Sequence, residues 1–265
     1  MNKQVKLLQS KEELIEQALE ICLAKMQEAI SQRGQCTIAL AGGNTPKPLY
    51  ESIATQNLPW DKIHVFWGDE RYVAPDHQDS NQKMARQAWL DRVPIPPTNI
   101  HAMPTGAGDP EVDASSHDAH LREFFQVSPG DFPSFDLILL GMGGDAHTAS
   151  LFPHTDALQI SDRLITVGNM GMGGDAHTAS LFPHTDALQI SDRLITVGNK
   201  DGQPRLTFTI PLINQARCVI FLVAGADKQV ALDRVFAENG DEMKYPSRLI
   251  QPKGELHWLL TGVNV

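Results

Sequence analysis

Residues 141–147 read GMGGDAH, placing a carboxylate, Asp145, two positions before an imidazole, His147, directly behind a glycine cluster. Imidazole changes charge close to neutral pH, so a positioned histidine can take a proton from water in a hydrolytic step. A carboxylate two residues away could orient that water or a substrate hydroxyl. Residue type alone also allows plainer roles. A loop histidine can be a structural hydrogen-bonding group, and Asp145 can cap backbone N–H groups at the start of a helix. The apolar run Leu137–Leu140 ahead of the glycines predicts a strand, and the small residues after His147 predict a helix start. A strand, tight turn and helix N-terminus would favour an anion, at the end of a sheet where open α/β folds bind ligands.

Three other glycine turns carry polar residues behind apolar runs. Gly42-Gly43-Asn44-Thr45 follows CTIALA, and either a phosphate cradle or a plain strand-to-helix turn fits it. Gly68-Asp69-Glu70-Arg71 follows IHVFW; Arg71 is a candidate guanidinium for an anion, with a local salt bridge as the plainer use. Gly225-Ala226-Asp227-Lys228 follows CVIFLVA; Lys228 can reach a phosphate as a point charge or simply be solvated. Arg205 is a weaker candidate of the same kind. His64 alternates within a strand and reads as structural, and His154 and His184, each after Phe-Pro, read as surface residues. The histidines show no metal-ligand spacing, so no metal is predicted.

The elements that must hold these turns alternate. Ser10-Lys11-Glu12-Glu13 is a capping box, and the apolar residues from Leu14 to Ile30 recur at helical spacing, predicting a helix over about 11–32. A helix from Pro46 to about Ala54, capped by Asn44 or Thr45, should follow the strand at 36–41. Further helices are predicted from 81 to about Arg92, over 111–126, and from 228 to about Ala237. Strands are predicted at 63–67, 135–140, 205–210, 218–224 and 257–262, with a short extended segment at 99–103. Alternating strands and helices imply an α/β chain: a Rossmann-like, mostly parallel sheet with helices on both faces.

Composition narrows the partners. The chain has 265 residues, 42% hydrophobic and 20% charged, and a formal net charge of −10. That surplus disfavours nucleic acid and anionic membranes, so local basic residues must do any phosphate binding. Cys22, Cys36 and Cys218 lie in apolar contexts and read as reduced core residues of a cytoplasmic protein. No signal-peptide pattern or membrane-length apolar run is apparent.

Residues 141–169 recur, letter for letter, as residues 171–199, so Asp175 and His177 repeat Asp145 and His147. Solenoid repeats diverge and come in three or more units, so this reads as a recent tandem duplication, an engineered insertion or an assembly error rather than a repeat architecture. The expectation is a single domain over 1–265 carrying 30 extra residues somewhere within 141–199, with the motif taken from copy one and the tail from copy two. The intervening segment, rich in Leu, Phe and Ile, would expose apolar surface. A 235-residue deletion form should therefore melt higher; an equal or lower melting temperature would refute this. Copy one is continuous with the strand at 135–140, which favours His147 over His177.

AGGNTPKPLY (41–50), FWGDERYV (66–73) with SN at 80–81, and GMGGDAHTASLFP (141–153) together resemble the 6-phosphogluconolactonases. RLTFT (205–209) and GADK (225–228) fit later blocks of that family in the same order. The resemblance implies a cytoplasmic enzyme without metal or cofactor, on a Rossmann-like fold related to the glucosamine-6-phosphate deaminases. It implies hydrolysis of the δ-lactone of 6-phosphogluconate in the oxidative pentose phosphate pathway. His147 would then activate water, with Asp145 beside it, and Gly42, Gly43, Asn44, Thr45, Arg71, Lys228 and Arg205 would hold the phosphorylated sugar lactone. Ala146 stands where many members have glycine, a mild change unless that position needs a positive φ. A deaminase-like isomerase and a non-catalytic sugar-phosphate binder are the alternatives.

Overall fold

The fold is described from a computed structural model, in which residues 2–162, 164–168 and 204–264 are placed. Its centre is a parallel sheet of six strands: β1 (Asn2–Leu8), β2 (Cys36–Leu40), β3 (Ile63–Trp67), β5 (Leu137–Leu140), β8 (Cys218–Ala224) and β9 (Glu255–Thr261). Their spatial order is β1-β9-β8-β5-β2-β3. β2 leads outward to β3, whereas β5 returns on its other side. The crevice between the carboxyl ends of β2 and β5 is thus the topological switch point, where such sheets bind ligands.

Side-chain alternation divides the sheet between two cores. Leu137 and Leu139 face one core together with α1 (Lys11–Arg33), α2 (Lys47–Ile53) and α3 (Asn81–Ala88). Ile138 and Leu140 face the other, with α4 (Pro110–Phe125), α5 (Ile210–Asn214) and α6 (Gln229–Phe236). Helices therefore cover both faces, as the alternating pattern predicts. The three cysteines are free and buried. Burial drives the Cys22 and Cys36 thiols well up, and the Cys218 thiol up to about 12.

A second, antiparallel sheet sits beside the switch point, in the order β4 (Asp69–Arg71), β7 (Arg205–Phe208), β6 (Ile165–Gly168). β4 leaves β3 after a single residue, Gly68, so the ladder carries Arg71 directly from the main sheet to the cleft. β6 belongs to copy one of the repeat. This corrects the expected division: copy one supplies its own tail as well as its motif. Copy two, with Asp175, His177 and His184, lies outside the described residues.

Most helices begin where expected. Ser10 and Ser80 accept hydrogen bonds from Glu13 N and Lys83 N at the starts of α1 and α3. Three expectations need correction. The residue capping α2 is Pro46, without any side-chain cap, so Asn44 and Thr45 stand free of that duty. α3 stops at Ala88, and Leu90–Arg92 is a separate 3-10 turn. No helix starts after His147: residues 144–145 and 149–150 are turns, with an isolated bridge between Thr148 and Leu151, and the next helical segment is the 3-10 turn Asp156–Gln159. β1 was not foreseen. As an edge strand it keeps Asn2, Lys3, Val5 and Leu7 exposed, which hides the alternation of a half-buried strand.

Candidate active site

An open cleft of about 300 Å³ lies at the carboxyl ends of β2, β3, β5 and β8. Its walls include Gly42, Gly43, Asn44, Thr45, Arg71, His147, Arg205 and Lys228. Four turns and one strand of the small sheet, separate in sequence, thus bring the predicted residues to one place. Asp145 does not line the cleft but sits behind His147.

The turn after β5 is closed by its own backbone. Gly143 N donates to His147 O at 2.9 Å, and Ala146 N donates to Gly143 O at 3.1 Å. Thr148 Oγ1 donates to Gly141 O at 2.8 Å. These bonds fold the chain back so that the imidazole lies over Gly143, where a Cβ would collide with the ring and with the Asp145 carboxylate. Glycine is required there by this close approach. Ala146 and Ala149 have φ of 64° and 49°, in the left-handed region. The proviso about position 146 is therefore met: it does hold a positive φ. It is held there from outside, since Ser247 N and Oγ both donate to Ala146 O, at 3.0 and 2.7 Å.

His147 Nδ1 is 2.5 Å from Asp145 Oδ1, which also accepts from His147 N at 3.1 Å. Partial burial alone would raise the Asp145 carboxyl; the hydrogen bond and charge of His147 outweigh this and hold it below the ordinary carboxylate value. The His147 ring packs on Phe152, with centroids 4.4 Å apart. The imidazole is thus fixed on three sides and only partly exposed, toward the cleft. The Gly143 N–H is already engaged by His147 O, so it is not available to a ligand in the cleft.

The turn after β2 is held by neighbours instead. The Asn81 amide packs against Gly42, where any Cβ would collide with it, and donates to Asp69 O at 2.9 Å. Tyr50 Oη bridges the backbone of Ala41, accepting from its N–H and donating to its carbonyl. Gly43 has φ of 87°.

The basic residues converge through the small sheet. In the β4–β7 ladder Arg71 stands directly opposite Arg205. Like charges directly opposite on one face repel, so this pairing favours a bound anion between or beside them. The Arg71 guanidinium donates to Asp79 O, not to Asp69 or Glu70, so the local salt bridge that its sequence allowed is not formed. Glu70 is buried and accepts from the N–H groups of Arg71, Asn81 and Gln82; burial nevertheless leaves its carboxyl raised above the usual value. It clamps β4 to the start of α3, and so positions Arg71 and Asn81 together. Lys228 pairs with the exposed Asp227 at 2.8 Å.

Sequence reasoning missed three supports. Asp69 is buried and receives Ser150 Oγ, Asn81 pins the 42–45 turn, and Ser247 holds Ala146. Asn81 had a local signal, its place at the start of a helix. Ser247 had none, because it lies 101 residues from the carbonyl that it binds.

Among the described residues, no helix is long and apolar enough to cross a membrane. The chain matches the family described as glucosamine-6-phosphate isomerases/6-phosphogluconolactonase over residues 9–170 and 167–258. It is 60% identical over 260 residues to the 6-phosphogluconolactonase of a Synechocystis species, covering 98% of this chain and 96% of that protein. The corresponding protein of a Nostoc species is 56% identical with the same coverage. Among solved structures, 6-phosphogluconolactonase from Trypanosoma cruzi superposes with a TM-score of 0.78 at 26% identity, over 98% of this chain and 96% of that one. The Thermotoga maritima 6-phosphogluconolactonase gives 0.76 at 26%, over 98% and 100%. The chain therefore belongs to the glucosamine-6-phosphate isomerase/6-phosphogluconolactonase family.

Proposed function

We propose that the chain is a 6-phosphogluconolactonase: it hydrolyses 6-phospho-D-glucono-1,5-lactone to 6-phosphogluconate, the lactone-opening step of the oxidative pentose phosphate pathway. The observation that carries this reading is the cleft itself, where an imidazole backed by a carboxylate shares the walls with two arginines held in register. The phosphate binds to Arg71 and Arg205, with Lys228 and the 42–45 turn completing the anion site. The C1 carbonyl then lies toward His147. With Nδ1–H donated to Asp145, the lone pair of Nε2 is left to take a proton from water as that water attacks C1. Asp145 is a positioning residue, fixing the tautomer and stabilising the imidazolium that forms. The remaining N–H groups of the 141–145 turn receive the developing oxyanion. Collapse of the tetrahedral intermediate breaks the ring C1–O bond, and the proton held by His147 passes to the departing oxygen.

The family also contains isomerases that act on glucosamine 6-phosphate, so the substrate is the point to test. The purified chain should open the lactone well above its spontaneous rate and release no ammonia from glucosamine 6-phosphate. Ammonia release would assign the isomerase activity instead. Tight binding of 6-phosphogluconate with no hydrolysis above background would make the chain a binder.

A further inference from the structure

We propose that Cys218, Glu255 and His257 form a binding site for a single zinc(II)-type cation, at the end of the main sheet opposite the cleft. The three residues come from adjacent parallel strands. Cys218 at the start of β8 is in register with Glu255 at the start of β9, and His257 lies two residues further on the same face of β9. One ligand atom from each, Sγ, a carboxylate oxygen and a ring nitrogen, falls within 4.8 Å of the other two. A tetrahedral zinc centre with bonds of roughly 2.0–2.3 Å sets its ligand atoms about 3.3–3.8 Å apart. Side-chain torsions can supply that contraction.

Thiolate, imidazole and carboxylate together are the donor set of a borderline-soft divalent ion, and three protein ligands leave the fourth position to water. Cys218 and His257 are buried, with His257 only 5% exposed. His257 Nε2 is 3.0 Å from Glu255 Oε2, while its Nδ1 is buried with no partner among the described residues. A buried ring nitrogen without a partner is costly. Lys25 occupies the other carboxylate oxygen, Oε1, at 2.6 Å and also reaches Glu28, so it can stay in place while Oε2 turns to the ion. Glu255 lines an open cavity of about 390 Å³ between the starts of these strands, which gives the ion a path in. Binding displaces the Cys218 thiol proton to solvent, so one proton leaves for each ion bound. The site ties β8 to β9 and makes no contact with the cleft.

The test is titration of the purified full chain with cobalt(II), a spectroscopic substitute for zinc. One equivalent should bind and produce a thiolate-to-cobalt charge-transfer absorption, and zinc should displace it and raise the melting temperature. Cys22→Ala and Cys36→Ala should keep the absorption; Cys218→Ser should lose it. Glu255→Gln, at a partly exposed position, should weaken binding by more than about 100-fold, beyond what loss of an outer-shell partner costs, with lactone hydrolysis unchanged. No thiolate band in the native chain would overturn the proposal, as would a band that survives Glu255→Gln with unaltered affinity. The second variant decides the matter if Cys218→Ser does not fold.

Discussion

The two turns that face each other across the switch point are built by opposite means. The turn after β2 is held from outside: Asn81 packs on Gly42 and Tyr50 brackets Ala41. The turn after β5 is largely held from within, by the Gly143–His147 and Ala146–Gly143 backbone bonds and the Thr148–Gly141 bond, with Ser247 as its external brace. The first presents backbone and no titratable side chain. The second presents an imidazole locked to a carboxylate. A surface for recognising an anion needs only a fixed shape, and neighbours can impose that. A proton-transfer group must be placed to within fractions of an ångström, so its supports are closest to it.

The strongest way to break this division of labour is through the histidines. Replacing both His147 and His177 with alanine should lower lactone turnover by about 10²–10⁴-fold, the range for loss of a general base. His147→Ala alone should do the same, and His177→Ala alone should leave turnover unchanged, because copy one supplies the motif in the cleft. A turnover loss in His177→Ala equal to that in His147→Ala would show that both copies serve the cleft. Wild-type hydrolysis by the double variant would remove the histidine from the mechanism.

Acid should weaken the scaffold of both turns from a separate place, at the β3 edge of the main sheet. His64, His101 and His120 form a hydrogen-bonded chain between β3 and α4, with His117 buried alongside. Burial, then the neighbouring imidazoles, pushes His101 down to about 4 and His117 down to about 3. In the unfolded chain both titrate near 6.5. Between these limits the unfolded state binds more protons, so stability is full above pH ~6.5 and falls as pH is lowered toward 4 and then 3. Urea midpoints at pH 7 and pH 5 should differ, with the lower value at pH 5. Replacing His117 by glutamine should flatten that difference; a difference left intact would clear the cluster of responsibility.

The two close glycines sharpen the contrast. Gly143→Ala pushes the imidazole off its seat, so it should reduce kcat more than tenfold with little change in KM. Gly42→Ala pushes Asn81 away and distorts the anion wall, so it should raise KM and largely spare kcat. Overpacking of this kind costs about 1–3 kcal/mol. Steady-state kinetics on the pair would refute the assignment if the two effects were exchanged.

The framework of this site was legible because it rests on local rules. Glycine clusters behind apolar runs marked all four cleft turns, and serine caps marked α1 and α3. What was not legible depends on contacts between distant segments. The small residues after His147 read as a helix start, yet Ala149 among them, like Ala146 just before the histidine, takes a left-handed conformation that no propensity predicts. The register that sets Arg71 against Arg205 joins strands far apart in sequence. The imidazole chain draws His64 from β3, His101 from the following segment and His120 from α4, so its spacing carries no signal. Cys218 lies on a different strand from Glu255 and His257, and a search for metal-ligand spacing passes over such a set.

The smallest effect concerns strain, and a reciprocal swap measures it in both turns. Gly43 has open space where a Cβ would be, so Gly43→Ala adds only left-handed strain, about 1–2 kcal/mol, partly offset by the roughly 0.5–1 kcal/mol of chain entropy that glycine loses on folding. It should cost on the order of 0.5–1 kcal/mol. Ala146→Gly relieves the same strain but gives up a fully buried methyl, about 0.8 kcal/mol, and takes on the entropy of glycine. These terms nearly cancel, so its stability from urea unfolding should match the parent to within about 0.5 kcal/mol. The positive φ at position 146 is then an inexpensive departure from glycine, because packing in the core makes up for what the backbone loses. A clear gain in stability from Ala146→Gly would mean that the methyl contributes little and that the turn carrying His147 is held under net strain.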